Sequence, residues 1–165
     1  MEWKRIFIVF GILAILGLVF IFIAKWWVWS SAYEIRTNNY EIKGYESELK
    51  HNNLDSAIYY HRLATLVPEN KQTEDARFAL ARAFYDKARE LHKDYEWFAE
   101  QRKKDTVRIL LKYYAHKDSA RAVYNALNQK NANPKRLFVL EQLILNDDDS
   151  YAYHNDEDKI YHVGR

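Results

Sequence analysis

The chain has no cysteine, only two prolines (Pro68, Pro134) and only four glycines (Gly11, Gly17, Gly44, Gly164) in 165 residues. Without cysteine there is no disulfide framework, no thiolate metal site and no thiol nucleophile, and the absence fits oxidising and reducing compartments alike. So few turn formers speak against a sheet of tight turns. The plentiful Ala, Leu, Lys, Glu, Gln and Arg favour helix instead, so the expected fold class is all-α. Charge of one sign is also missing, the formal net charge being +2. With no RNA- or DNA-reading motif either, nucleic acid is not an expected partner.

Catalytic signatures are equally scarce. Gly44 is the only glycine between the apolar N-terminal run and the C-terminal tail, which excludes a glycine-rich phosphate loop. There is no HExxH, no G-x-S-x-G and no nucleophilic cysteine. Asp147-Asp148-Asp149 lacks the glycine and terminal glutamate of an EF-hand loop. We therefore expect no enzyme, no cofactor and no metal. The alternative within this class is a small-ligand or catalytic pocket between helices, using His61, Tyr60 and neighbouring acids.

What the chain does contain is a long uncharged run, Ile6 to Ala24 (IFIVFGILAILGLVFIFIA). As a helix it spans about 28 Å, close to the hydrocarbon thickness of a bilayer. Trp3 stands before it, and Lys25, Trp26, Trp27 and Trp29 follow. Indoles and a snorkelling lysine suit the two headgroup layers. A cleaved signal peptide is the rival, because Ser30-Ser31-Ala32 offers small residues. The run exceeds the roughly 7–15 residues of a signal h-region, so a retained single-pass anchor is favoured. Lys4 and Arg5 outweigh Lys25, which puts the N-terminus on the cytoplasmic or matrix side of an inner membrane and the rest on the opposite side.

The expected organisation is an anchor with its aromatic belt at 1–32, a helical domain at 33–145 and an acidic, tyrosine-containing tail at 146–165. His92-Lys93-Asp94 recurs as His116-Lys117-Asp118, with His51-Asn52-Asn53 as a cousin upstream. Each triplet reads as a turn: the histidine complements the carbonyl end of one helix, and Asn53, Asp94 or Asp118 caps the next. An apolar residue (Ala57, Phe98, Ala122) follows each triplet at one spacing. In Thr73 to Leu91 a wide apolar face is made by Ala76, Phe78, Leu80, Ala81, Ala83, Phe84, Ala88 and Leu91. In Asp105 to His116, Val107, Leu110, Leu111 and Tyr114 fall at i, i+3, i+4, i+7.

These segments resemble the tetratricopeptide repeat, W-x2-L-G-x2-Y, then A-x3-F, then P. Arg77, Leu80, Ala81 and Phe84 stand at the first-half positions of a middle unit. Ala57, Ala64 and Pro68 suit the second half of a first unit, and Ile109, Leu110, Tyr113, Ala122, Ala126 and Pro134 a third. Tyr45 and Leu110 stand where the small residue belongs. The resemblance implies a small stack of antiparallel helical hairpins over roughly Asn38 to Pro134, with Lys135 to Leu145 as a last, capping helix, and a surface for binding another protein. A bundle without repeat ancestry accounts for the same periodicity.

Charge is distributed unevenly along the chain. Arg102 to Arg136 holds ten Lys/Arg against two Asp, whereas Glu141 to Asp158 holds seven acids and no Lys or Arg. Arg102, Lys103, Lys104, Arg108, Lys112 and Tyr113 are the candidate partner-binding residues, suited to an acidic protein surface or to anionic lipid headgroups. The tail, with Tyr151, Tyr153 and Tyr161, suits docking on a basic partner or on the chain's own basic face. The expected function is a membrane-anchored, non-enzymatic interaction module, a structural or assembly subunit of a larger membrane complex. A membrane-tethered chaperone is the alternative.

Overall fold

The computed structural model describes residues 2–100, 106–130 and 132–146, and side chains over 11–97, 106–130 and 132–146. Five helices follow in order: α1 Glu2–Leu49, α2 Leu54–Leu66, α3 Thr73–Glu100, α4 Thr106–Gln129 and α5 Pro134–Ile144. There is no strand among the described residues, as the composition leads one to expect.

α1 is long and apolar enough over its N-terminal part to cross a bilayer, and no part of its apolar window is buried in the protein. That second point separates it from the core helix of a soluble domain, whose apolar face must be covered. Trp26, Trp27 and Trp29 are exposed, and Trp29 stacks at a tilt on Tyr33, 6.0 Å between ring centroids. The helix does not end at residue 32. It runs on to Leu49, with burial beginning at Thr37, Glu41, Gly44 and Tyr45 where the other helices pack on it.

α1 ends in a turn whose Asn52 adopts φ 47°, a conformation that asparagine tolerates better than most residues. Asn53 then caps α2, its side chain accepting from the Ser56 N–H at 3.0 Å. Between α2 and α3 Asn70 accepts from the Gln72 N–H at 2.9 Å and donates from its own amide to Thr37 Oγ1 at 2.9 Å, fixing the loop against α1. Asn133 caps α5, accepting from the Lys135 N–H at 3.1 Å, with Pro134 in the first turn where its missing N–H costs nothing.

The core gathers Phe78, Leu80, Ala81, Ala83, Phe84 and Tyr85 of α3 with Ala120, Tyr124 and Leu127 of α4 and Leu140, Leu143 and Ile144 of α5. All eight residues expected on the apolar face of α3 are buried. Their alternation of alanine with aromatic rings lets neighbouring backbones approach while rings fill the gaps.

Two of the three expected turns are absent. His92-Lys93-Asp94 lies inside α3 and His116-Lys117-Asp118 inside α4, so Asp94 and Asp118 cap nothing. Only Asn53 of the three does. The physical reason is that neither glycine nor proline occurs between Pro68 and Pro134, and an exposed His-Lys-Asp run does not stop a helix by itself. The third-unit alanines, Ala122 and Ala126, are exposed, whereas Ala57 and Ala64 are buried.

Candidate functional site: an outward face on α4, a cleft, and a buried polar clasp

Three features stand apart from ordinary packing, the first being the outer side of α4. Val107, Leu111 and Tyr114 form a stripe at i, i+4, i+7 and are 68, 66 and 54% exposed, with Leu110 half-buried beside them. The sequence periodicity found this stripe but suggested a packed face. The face of α4 that is packed is instead Ala120, Tyr124 and Leu127. Arg108 and Lys112 are exposed next to the stripe. Arg102, Lys103 and Lys104 fall outside the described residues, as does the tail with its three tyrosines, and Trp3 is described only as helical backbone.

Between α3 and α4 lies the second feature, a cleft of about 380 Å³ lined by residues that include Arg89, His92, Lys93, Glu96, Tyr113 and Lys117. Tyr113 is half-buried there. Its ring meets His92 at 5.2 Å and Tyr114 at 5.0 Å, and the Lys117 ammonium lies 5.7 Å above it while donating to its hydroxyl at 3.3 Å. Three cationic side chains and one carboxylate line the cleft, with Asp86 4.0 Å from Arg89 behind it, so the lining carries a modest excess of positive charge.

The third feature was not anticipated. On α1, Glu41, Gly44, Tyr45 and Glu48 fall on one helical face and turn inward. His61 of α2 lies fully buried against Gly44, its ring edge-on to Tyr45 at 4.9 Å and its Nε2 3.4 Å from a Glu48 carboxylate oxygen. Arg82 of α3 donates to the Tyr45 hydroxyl at 2.9 Å. Arg136 of α5 pairs with Asp75 and stands over the Phe78 ring, 4.2 Å from its centroid. Glu41 is 1% exposed, and neither of its oxygens has a hydrogen-bond partner among the described residues. Burial, with a smaller push from Asp75 and opposed by Arg136 and Arg82, raises its carboxyl to about 8. Burial likewise raises the Tyr45 phenol to about 12 despite Arg82. The clasp is a closed interface, so the alternative of a pocket using His61 and Tyr60 finds no opening at His61, which has no exposed surface.

Comparison with protein-family profiles, with curated proteins and with solved structures finds no match to this chain.

Proposed function

We propose that this protein is a single-pass, membrane-anchored interaction module that holds a small helical domain away from the bilayer to engage a subunit of a membrane complex. The observation that carries this reading is the stripe of Val107, Leu111 and Tyr114, three large apolar side chains aligned on one helix face and left to solvent beside Arg108 and Lys112. Exposed apolar faces rimmed by charge are characteristic of protein interfaces.

Height supports a protein partner over lipid. Arg82 of α3 meets Tyr45 of α1, and His92 of α3 meets Tyr113 of α4. At 1.5 Å per residue, Tyr45 lies about 24 Å beyond Trp29, and His92 about 15 Å beyond that, so the stripe stands roughly 40 Å from the aromatic belt. Anionic headgroup attraction fades within a Debye length of about 8 Å. The basic residues of α4 therefore serve an acidic protein surface better than the chain's own bilayer. The continuity of α1 from anchor to domain supports the same role, since no hinge lets the domain fold back.

The likeness to the tetratricopeptide repeat enters this proposal in one respect. α3 lies against both α1 and α2, and α5 lies against both α3 and α4, an alternation that a stack of antiparallel hairpins produces. α3 and α4 are each far longer than half of a 34-residue unit. We further propose an inner membrane with the N-terminus on the cytoplasmic or matrix side, supported by Lys4 and Arg5 against Lys25.

The test is purification of the full-length protein in mild detergent beside a Val107→Ser, Leu111→Ser, Tyr114→Ser variant. A stoichiometric subunit retained by the wild type and lost from an equally helical variant is expected. A lone monomer in both preparations counts against the proposal, and a broad smear of weakly held clients points to the chaperone alternative.

A further inference from the structure

The cleft between α3 and α4 continues a groove that the chain already fills at its other end. On α3, Phe78, Ala81, Tyr85, Ala88 and His92 follow one another at i+3 and i+4, one stripe along the helix. On α4, Leu127, Tyr124, Ala120, Lys117 and Tyr113 do the same. α5 packs against the first part of both stripes: Arg136 sits over Phe78, the Glu141 carboxylate acts on the Tyr124 phenol, and Leu140, Leu143 and Ile144 join the core with Ala81 and Ala120. Beyond α5 the same two stripes line the open cleft, through Tyr85, His92, Lys117 and Tyr113. α5 runs toward it, since Arg136 lies level with Phe78 and Asp75 while Glu141, more than a turn further along α5, acts on Tyr124, which is one step closer to the cleft than Leu127 on the α4 stripe.

We propose that the acidic segment following Asn146, residues 147–158, occupies this far half of the groove in the same molecule. Where the described chain ends supports it. From the level of Tyr124 to Tyr113 is about 16 Å along α4, a distance that about five extended residues cover. Charge supports it as well: residues 147–158 carry six acids and no Lys or Arg, and the cleft lining holds Arg89, Lys93 and Lys117 against Glu96, a positive excess that remains after Arg89 is paired with Asp86. Tyr151 and Tyr153 match the ring-lined wall of His92 and Tyr113, where aromatic pairs gain beyond their buried area. An acidic partner segment that uses this groove has to displace the tail first. The proposal stands independently of the outer stripe on α4 and of any partner bound there.

The absence of native cysteine makes the test clean. Full-length protein in detergent is prepared with Lys93→Cys plus Ser150→Cys, and with Lys50→Cys plus Ser150→Cys as a pair on a different face. Under mild oxidation the Lys93 pair is expected to close within one molecule roughly tenfold faster, as a docked segment raises effective concentration. Changing Asp147, Asp148 and Asp149 to Asn, or raising the salt, is expected to remove most of that advantage. Equal rates for the two pairs overturn the proposal. So do an advantage indifferent to the three aspartates and a Lys93 pair that closes only between two molecules.

Discussion

The imidazole of His61 lies flat against the backbone of Gly44, so closely that a Cβ added to Gly44 would fall 2.7 Å from both ring nitrogens. In an exposed helix interior, glycine to alanine gains close to 1 kcal/mol from propensity. Here the sign reverses. Gly44→Ala must push a buried ring away from Glu48 and Tyr45, and forced rearrangements in a packed interior cost about 1–3 kcal/mol. The expected result is a lower melting temperature for Gly44→Ala. Combining it with His61→Ala should cost less than the sum of the two single changes, because they remove the same clash. Additive losses would place the ring elsewhere.

A second expectation concerns pH. Glu41 has its carboxyl raised from an ordinary value of 4.5 to about 8 by burial. Between these values the folded state binds a proton that the unfolded state has released, so stability falls as pH rises from about 4.5 to about 8 and levels off on either side. The loss is on the order of a few kcal/mol. Glu41→Gln removes the titrating group. Chemical denaturation at pH 6 and pH 8.5 should show the wild type losing stability between the two and the variant losing much less. Identical slopes for both proteins would mean that Glu41 is ionised and solvated in the folded state.

The clasp also shows where the sequence was hard to read. Glu41, Gly44, Tyr45 and Glu48 sit at i, i+3, i+4, i+7, the spacing of a buried helix face. Two of the four are glutamates, and apolar periodicity assigns such residues to solvent. The small residue belonging at Tyr45 stands one position earlier, at Gly44, and its being the only glycine between the apolar run and the tail was the available signal. By contrast the α3 face was legible in full, since its eight residues are alanines and large apolar side chains, a composition that marks a buried helix face whichever helices cover it. The α4 stripe was legible as a stripe. Whether a neighbour covers it depends on how far α3 and α5 extend, which local periodicity does not encode.

Capping gives a third test, because three residues of similar type in similar triplets differ in place. Asn53 accepts from the Ser56 N–H at the start of α2. Asn53→Ala should cost about 1 kcal/mol, the usual value of a lost helix cap. Asp94 and Asp118 lie within α3 and α4, where alanine has the better propensity. Asp94→Ala and Asp118→Ala should therefore be neutral or slightly stabilising in thermal melts. A loss of 1 kcal/mol at either would mean that the helix breaks there after all.

The unbroken run of α1 can be read by tryptophan fluorescence, since four of the five indoles flank the apolar span and the fifth, Trp97, lies near the end of α3. Trp97 is 15 residues beyond Arg82, which places it about 22 Å past the level of Tyr45 and roughly 45 Å from the belt at Trp29. Quenching by bromine-labelled lipid acyl chains acts only near the label. In bilayers made with such lipids, a Trp97→Phe protein should lose most of its emission. A protein keeping Trp97 alone, with Trp3, Trp26, Trp27 and Trp29 changed to Phe, should keep nearly all of it. Quenching of Trp97 would mean that the domain lies down on the bilayer, which would bring Arg108 and Lys112 within reach of lipid and remove the height argument for a protein partner. Indifference of the belt tryptophans would mean that α1 does not enter the membrane, and the exposed apolar face from Ile12 to Ile23 would then need a protein to cover it.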